Sequence, residues 1–139
     1  MIGAFIALVV LAGLCAGCGG SASYANADRP PAPISISIAV TDQRVAISPN
    51  RVGAGPVQLL IANESGRSSD VRLTAAGDGR SCVADGASSG PINPQDAARI
   101  SLGLREGMCE VSVADAAIAP AKLIVGPQRA SAQQDLLQP

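Results

Sequence analysis

The 139 residues carry ten basic and eleven acidic side chains and no histidine. Scattered singly, those charges form no basic patch for nucleic acid, and without imidazole the Ser-His-Asp and Cys-His arrangements and most metal sites lack their central residue. The only Phe is Phe5 and the only Tyr is Tyr24, with no Trp, so the part beyond residue 33 offers no aromatic platform for sugars, bases or flavins and no large interface anchor.

From Met1 to Leu14 the chain is apolar and uncharged. A run of roughly 13 such residues suits a signal-peptide core and falls short of the ~20 needed to span a bilayer. It closes on Cys15-Ala16-Gly17-Cys18, whose small Ala16 and Gly17 fit a lipoprotein signal peptidase. The expectation is cleavage before Cys18 and a lipid on its thiol, which holds the protein to a membrane more firmly with two or three acyl chains than with one. Cys15 stands where Leu is usual, and no Lys or Arg precedes the run. Ordinary secretion with cleavage near Ala22 and an uncleaved anchor are the alternatives. Residues 1–17 are therefore the signal peptide and 18–33 a Gly, Ser, Ala and Pro-rich flexible tether ending in Pro30-Pro31-Ala32-Pro33.

One small domain follows, residues 34–126. Ile34, Ile36, Ile38 and Val40 alternate with polar or small residues, the period of a half-buried strand. A short strand from Arg44 to Ser48 ends at Pro49-Asn50. Gly53-Ala54-Gly55-Pro56 reads as a turn, and Val57, Leu59 and Ile61 begin another alternating strand. After a polar loop, Val71 and Leu73 point inward. Glycine turns flank a short segment around Cys82, and Pro91 and Pro94 mark another turn. Ala98 to Leu104, Cys109 to Val113 and Leu123 to Val125 complete the set, with Ala114 to Ala119 the only candidate for a helical turn. Seven or eight short strands in about 90 residues predict an all-β, antiparallel Greek-key sandwich.

Cys82 and Cys109 remain after processing, and Cys109 shares the inward face of Val111 and Val113. In an exported compartment a structural disulfide is the natural reading. It closes a loop of about 28 residues and stabilises by roughly 3–4 kcal/mol on chain entropy. A redox-active or metal-binding thiol pair is the functional alternative, though no Cys-x-x-Cys spacing supports it.

The order of these elements resembles the cupredoxin-like family. The likeness rests on Val45-Ala-Ile-Ser-Pro49, Val52-Gly-Ala-Gly-Pro-Val57, Ile61-Ala-Asn63-Glu-Ser65 and Val71-Arg-Leu73, then Ile92-Asn-Pro94 and Leu104-Arg-Glu-Gly107-Met-Cys-Glu-Val111. It covers most of Ile34 to Val125. The whole chain resembles small cupredoxin-like lipoproteins of GC-rich, actinobacterial-type bacteria, including a tail, 127–139, that continues from Val-Gly-Pro. An immunoglobulin-like sandwich is the alternative fold. The resemblance implies a copper site whose ligands are missing here. Its first His would stand near Asp70 and its Cys where this chain has Val113, the second His is absent, and no Met follows Met108. A blue-copper centre needs two imidazoles and a thiolate, so no copper or other cofactor is expected and electron transfer is excluded.

Other motifs are weak. Asp78, Asp85 and Asp115 sit in turns without the density of a calcium loop. Lys122, the only Lys, has no serine near it in sequence for a Ser-Lys hydrolase. A hydrolytic site would need two of Asp70, Asp78, Asp85 and Asp115 in one cleft. Asn63-Glu64-Ser65 matches a glycosylation acceptor, and capping of a strand-to-loop turn is the competing reading. In the tail, Leu136 and Leu137 form an apolar spot suited to disorder, an added edge strand or a docking peptide. The functional expectation is a non-enzymatic binding or structural module, lipid-anchored on the outer face of the cell membrane. It would meet an envelope protein through its loops or tail. A redox or metal-handling accessory using Cys82 and Cys109 is the alternative.

Overall fold

The computed structural model describes residues 29–77 and 79–131. The expected signal segment, Cys18, Asp78 and the end of the tail lie outside the described residues. Eight strands follow in chain order: β1 (Ile34–Val40), β2 (Val45–Ser48), β3 (Arg51–Asn63), β4 (Ser69–Ala75), β5 (Ala87–Ile92), β6 (Ala97–Leu104), β7 (Gly107–Val113) and β8 (Ala121–Gln128). They form a sandwich of two layers that share β3. One layer runs β2-β1-β3-β6; the other starts from the beginning of β3 and runs β8-β7-β4-β5.

The all-β sandwich agrees with the alternation in the sequence. Two ladders, β1 with β3 and β3 with β8, run parallel, which an all-antiparallel expectation does not include. The cause is connectivity. A tight reversal carries β1 into antiparallel β2, a second reversal carries β2 into β3, and β3 lies on the other side of β1, so it regains β1's direction.

The expected turn at Gly53–Pro56 is the second difference. It is no turn: β3 continues through it for 13 residues and changes layer there. Ala54 still belongs to the β8 ladder, while Gly55 and Pro56 already pair with β6. Gly55 adopts a positive φ of 131°, which a side chain would resist. The carbonyls turned outward by the bend are collected by one side chain. Arg129 donates from Nε to Gly53 O (3.2 Å) and from Nη2 to Pro56 O, while Nη1 reaches Ala32 O at 2.9 Å. The residues leading into β1 are thereby fixed to the end of β8, and Pro31 is buried.

β5 is the third difference, since Ser88, Ser89 and Pro91 give no strand signal; β4 recruits the segment by pairing Ser69 with Ile92 and Leu73 with Ala87. The expected helical turn at Ala114–Ala119 is a plain turn, in which Asp115 Oδ1 accepts from Ala117 N at 2.9 Å and Asp115 O from Ile118 N at 3.1 Å. A short acidic side chain that takes the local N–H diverts the backbone from a helix.

Among the described residues the core contains no aromatic ring. Ile36, Ile38, Val40, Val57, Leu59 and Ile61 from one layer meet Val71, Leu73, Val111, Leu123 and Val125 from the other. Each such side chain, fully buried, contributes about 1.5–3 kcal/mol. Cys82 and Cys109 join them, both at 0% exposure, linked by an S–S bond of 2.04 Å. The disulfide thus ties the loop before β5 to β7. The same loop is held by Met108 N donating to Arg80 O and Arg105 N to Cys82 O, each at 2.9 Å. Gly107 is required at this crossing, because a Cβ there would run into the Arg80 carbonyl.

Candidate functional site

Two regions qualify: the polar end of the sandwich, where the family resemblance would place a metal, and the outer face of the β2-β1-β3-β6 layer.

The polar end is organised by Asn63, the last residue of β3, which is 1% exposed. Its Nδ2 donates to Ile92 O (2.9 Å) and Arg67 O (2.7 Å). Its Oδ1 accepts from Ser65 N (3.1 Å) and lies 2.6 Å from Ser65 Oγ. Its main chain is equally engaged, with Asn63 N donating to Asp96 O and Asn63 O accepting from Gln95 N. One residue therefore fixes the 64–68 loop and the 93–96 turn together. Ser69 Oγ, 3.4 Å from Ser65 Oγ, extends the network. Such complete satisfaction is what keeps buried polar groups tolerable. Asn63 is the cap of a strand-to-loop turn, and its buried, doubly donating amide is not presented as a glycosylation acceptor.

Beside this network lies a cleft of about 320 Å³ lined by Ser65, Ser69, Asp70, Val113, Asp115 and Ile118, among others. Asp70 and Val113, the two positions matched to copper ligands, do converge on it. Neither is a ligand of that kind. Val113 is apolar, and Asp70 accepts from Ser88 Oγ at 2.6 Å and from Arg72 Nε at 3.2 Å. The Ser88 hydrogen bond holds the Asp70 carboxyl below its ordinary value, Arg72 adds to the effect, and burial opposes it. At the mouth, Arg67 Nη2 meets Asp115 Oδ2 at 2.8 Å. Two of the four aspartates thus share a cleft, yet one is tied to Arg67 and the other to Ser88 and Arg72. An acid catalyst needs a raised carboxyl, and that of Asp70 is lowered. Asp85 lines a separate dent with Arg72 and Thr74. Among the described residues no three His, Cys, Asp or Glu side chains are grouped to hold a metal ion. Lys122 stands on β8 opposite Glu110 of β7.

The second region was not legible strand by strand. Register assembles it: Ala46, Ala39, Ala62 and Ala97 form one row across four strands, and Ser48, Ser37, Leu60 and Arg99 form the next. These outward positions border a shallow concavity of about 690 Å³, with Glu64 and Arg99 the only charged lining residues among the described ones. The opposite layer is the reverse. Its outward positions include Arg51, Asp70, Arg72, Glu110 and Lys122, with Met108 and Ile124 paired among them. The available sequence signal was the small-residue content of four separate alternations, which acquires meaning only once the strands are ordered.

No family model matches the chain, and no curated protein matches it. Among solved structures, a chain titled "Multicopper Oxidase mgLAC (data2)" is similar at 11% identity and a TM-score of 0.43, over 70% of this chain and 39% of that one. The present chain therefore spans well under half of that neighbour. The all-β sandwich assignment stands on the strand pairing itself.

Proposed function

We propose that the protein is a lipid-anchored, non-enzymatic binding or structural module of the cell envelope, a cupredoxin-like domain that uses no copper and is held to the outer face of the membrane through Cys18. The observation that carries the binding role is the outer face of the β2-β1-β3-β6 layer. It is broad, concave and nearly uncharged, whereas the other layer's outward face is studded with charge. Contiguous exposed apolar patches mark interaction sites, and the lining of this concavity is mostly alanine, isoleucine and Leu60 with two serines. The anchoring part of the proposal rests on the Cys15-Ala16-Gly17-Cys18 sequence. Cys82 and Cys109, wholly enclosed, serve as a staple in this reading.

Intact mass of protein purified from membranes tests the anchor: the reading expects a mature chain starting at Cys18 with acyl mass added, and an unmodified N-terminus elsewhere overturns it. A photo-crosslinking residue at Ala62, compared with one at Glu110 on the other layer, tests the surface. Adducts from position 62 alone are expected. Equal yields from both positions would remove the concave face from the account.

A further inference from the structure

The exposed edges of the two layers are treated unequally. An unpaired strand edge invites pairing with another strand, and proteins blunt it with short strands, proline, bulges or covering loops. β2 is four residues long, and the loop before β8 covers its start, with Val45 N donating to Ala119 O at 3.0 Å. β5 carries Pro91, a positive-φ Gly90 and a register shift against β4. The opening of β3 is short before the strand changes layer. Among the described residues β6 carries no proline or register shift, and a loop meets it only beyond its end, where Arg105 N donates to Cys82 O. The strand is eight residues long, Ala97–Leu104, pairs only with β3, and has Arg99 as its sole charge.

The direction of its unpaired groups follows from the ladder. Ala97 N donates to Asp96 Oδ1 (2.8 Å) and Arg105 N to Cys82 O (2.9 Å), so both turn away from β3. Antiparallel ladders alternate, and Arg99, Ser101 and Gly103 have the same parity as those two. Their N–H and C=O groups line the open edge, bounded at each end by a residue whose N–H is engaged internally.

We propose that this edge is a self-association site, where β6 pairs antiparallel with β6 of a second copy about a two-fold axis at Ser101. The edge is complementary to itself in that register. Ser101 faces Ser101 of the second copy, and Arg99 faces Gly103, beside which an added Cβ would meet nothing within 4 Å. The arginines are thus kept apart, and the long side chain has room. Ile100 falls opposite Leu102, two half-buried core-flanking residues at the open side of the sandwich, so pairing covers apolar surface as well as backbone. Each of the three residue pairs can exchange two backbone bonds. The contact is isologous and closes on two copies. This inference uses the backbone edge of β6, which adjoins the concave face at Arg99, and does not depend on what that face binds.

Ser101→Cys in the full-length protein, purified and oxidised in solution, tests it. Directly opposed residues in such a pair lie about 5.5 Å apart between Cα atoms, within disulfide range. The expected result is a disulfide-linked homodimer formed at least tenfold faster than with a Ser35→Cys control on the outer face of β1. Adding Gly103→Lys, which sets a second cation opposite Arg99, should slow cross-linking at least tenfold with the melting temperature unchanged. Cross-linking no faster than the control, or indifferent to Gly103→Lys, overturns the proposal. An adduct with a co-purifying protein of different mass also overturns it, in favour of a foreign strand.

Discussion

The polar cleft beside Asn63 and the concave outer face of the β2-β1-β3-β6 layer are both candidate sites, and they differ in what has been spent on the fold. At the cleft the strongest hydrogen-bonding groups are consumed internally. The Asn63 side chain makes four hydrogen bonds to three residues, and the nearby carboxylates are tied to Arg67, Arg72 and Ser88. On the face, four alanines in a row form no side-chain hydrogen bonds, and among the described residues the concavity has only two charged lining residues. A region whose chemistry is used up by folding should respond to mutation through stability. One that contributes little to folding should respond through binding.

The far end of the sandwich sets the yardstick. Replacing Cys82 and Cys109 together by Ala should cost about 3–4 kcal/mol on chain entropy, read as a lower urea midpoint. Next, Asn63→Ala should cost about 3 kcal/mol, because it removes the buried donor to the Ile92 carbonyl and the buried acceptor of Ser65 N; the same urea titration measures it. A loss under about 0.5 kcal/mol would break the comparison by showing that the polar end is not structural. In contrast, Ala62→Glu on the concave face should shift stability by no more than about 0.5 kcal/mol while abolishing cross-links from the neighbouring Ala39 position.

The smallest effect is that of Asp70. Its folded-state carboxyl titrates below the ordinary 3.8, so ionisation favours the folded state. That contribution is present in full above the unfolded-state value and is lost as pH falls through the lower folded-state one. Melting temperature followed downward from pH 5 should therefore fall slightly less in Asp70→Asn than in the parent. Identical curves would show that the Ser88 hydrogen bond has no consequence for folding.

Much of the fold could be read from period-two alternation, because inward Ile, Val and Leu at every second position leave a strand few alternatives. The failures have specific causes. Gly53-Ala-Gly-Pro56 carries turn residues, yet Arg129, distant in sequence, collects the carbonyls of a bend inside a continuous strand. β5 has no propensity signal and exists because β4 offers it an edge. The disulfide could be anticipated from the expected export and from register, and its S–S bond is present. Asp70 and Val113, the positions the resemblance matched to absent copper ligands, line one cleft. The resemblance could not show that Asn63 closes the adjoining end, since that depends on carbonyls 4 and 29 residues away. The alanine row is a property of register between four strands and of none of them singly.

Native-state hydrogen exchange at the Asn63 end is the most direct test of the central claim that this pole is a structural cap. The amides of Ser65 and Gln95, which donate to Asn63, should exchange only through global unfolding, with protection within about tenfold of the core amides of β3 and β7. Exchange at rates typical of an exposed loop, with the core still protected, would show that the pole opens on its own and would contradict the account.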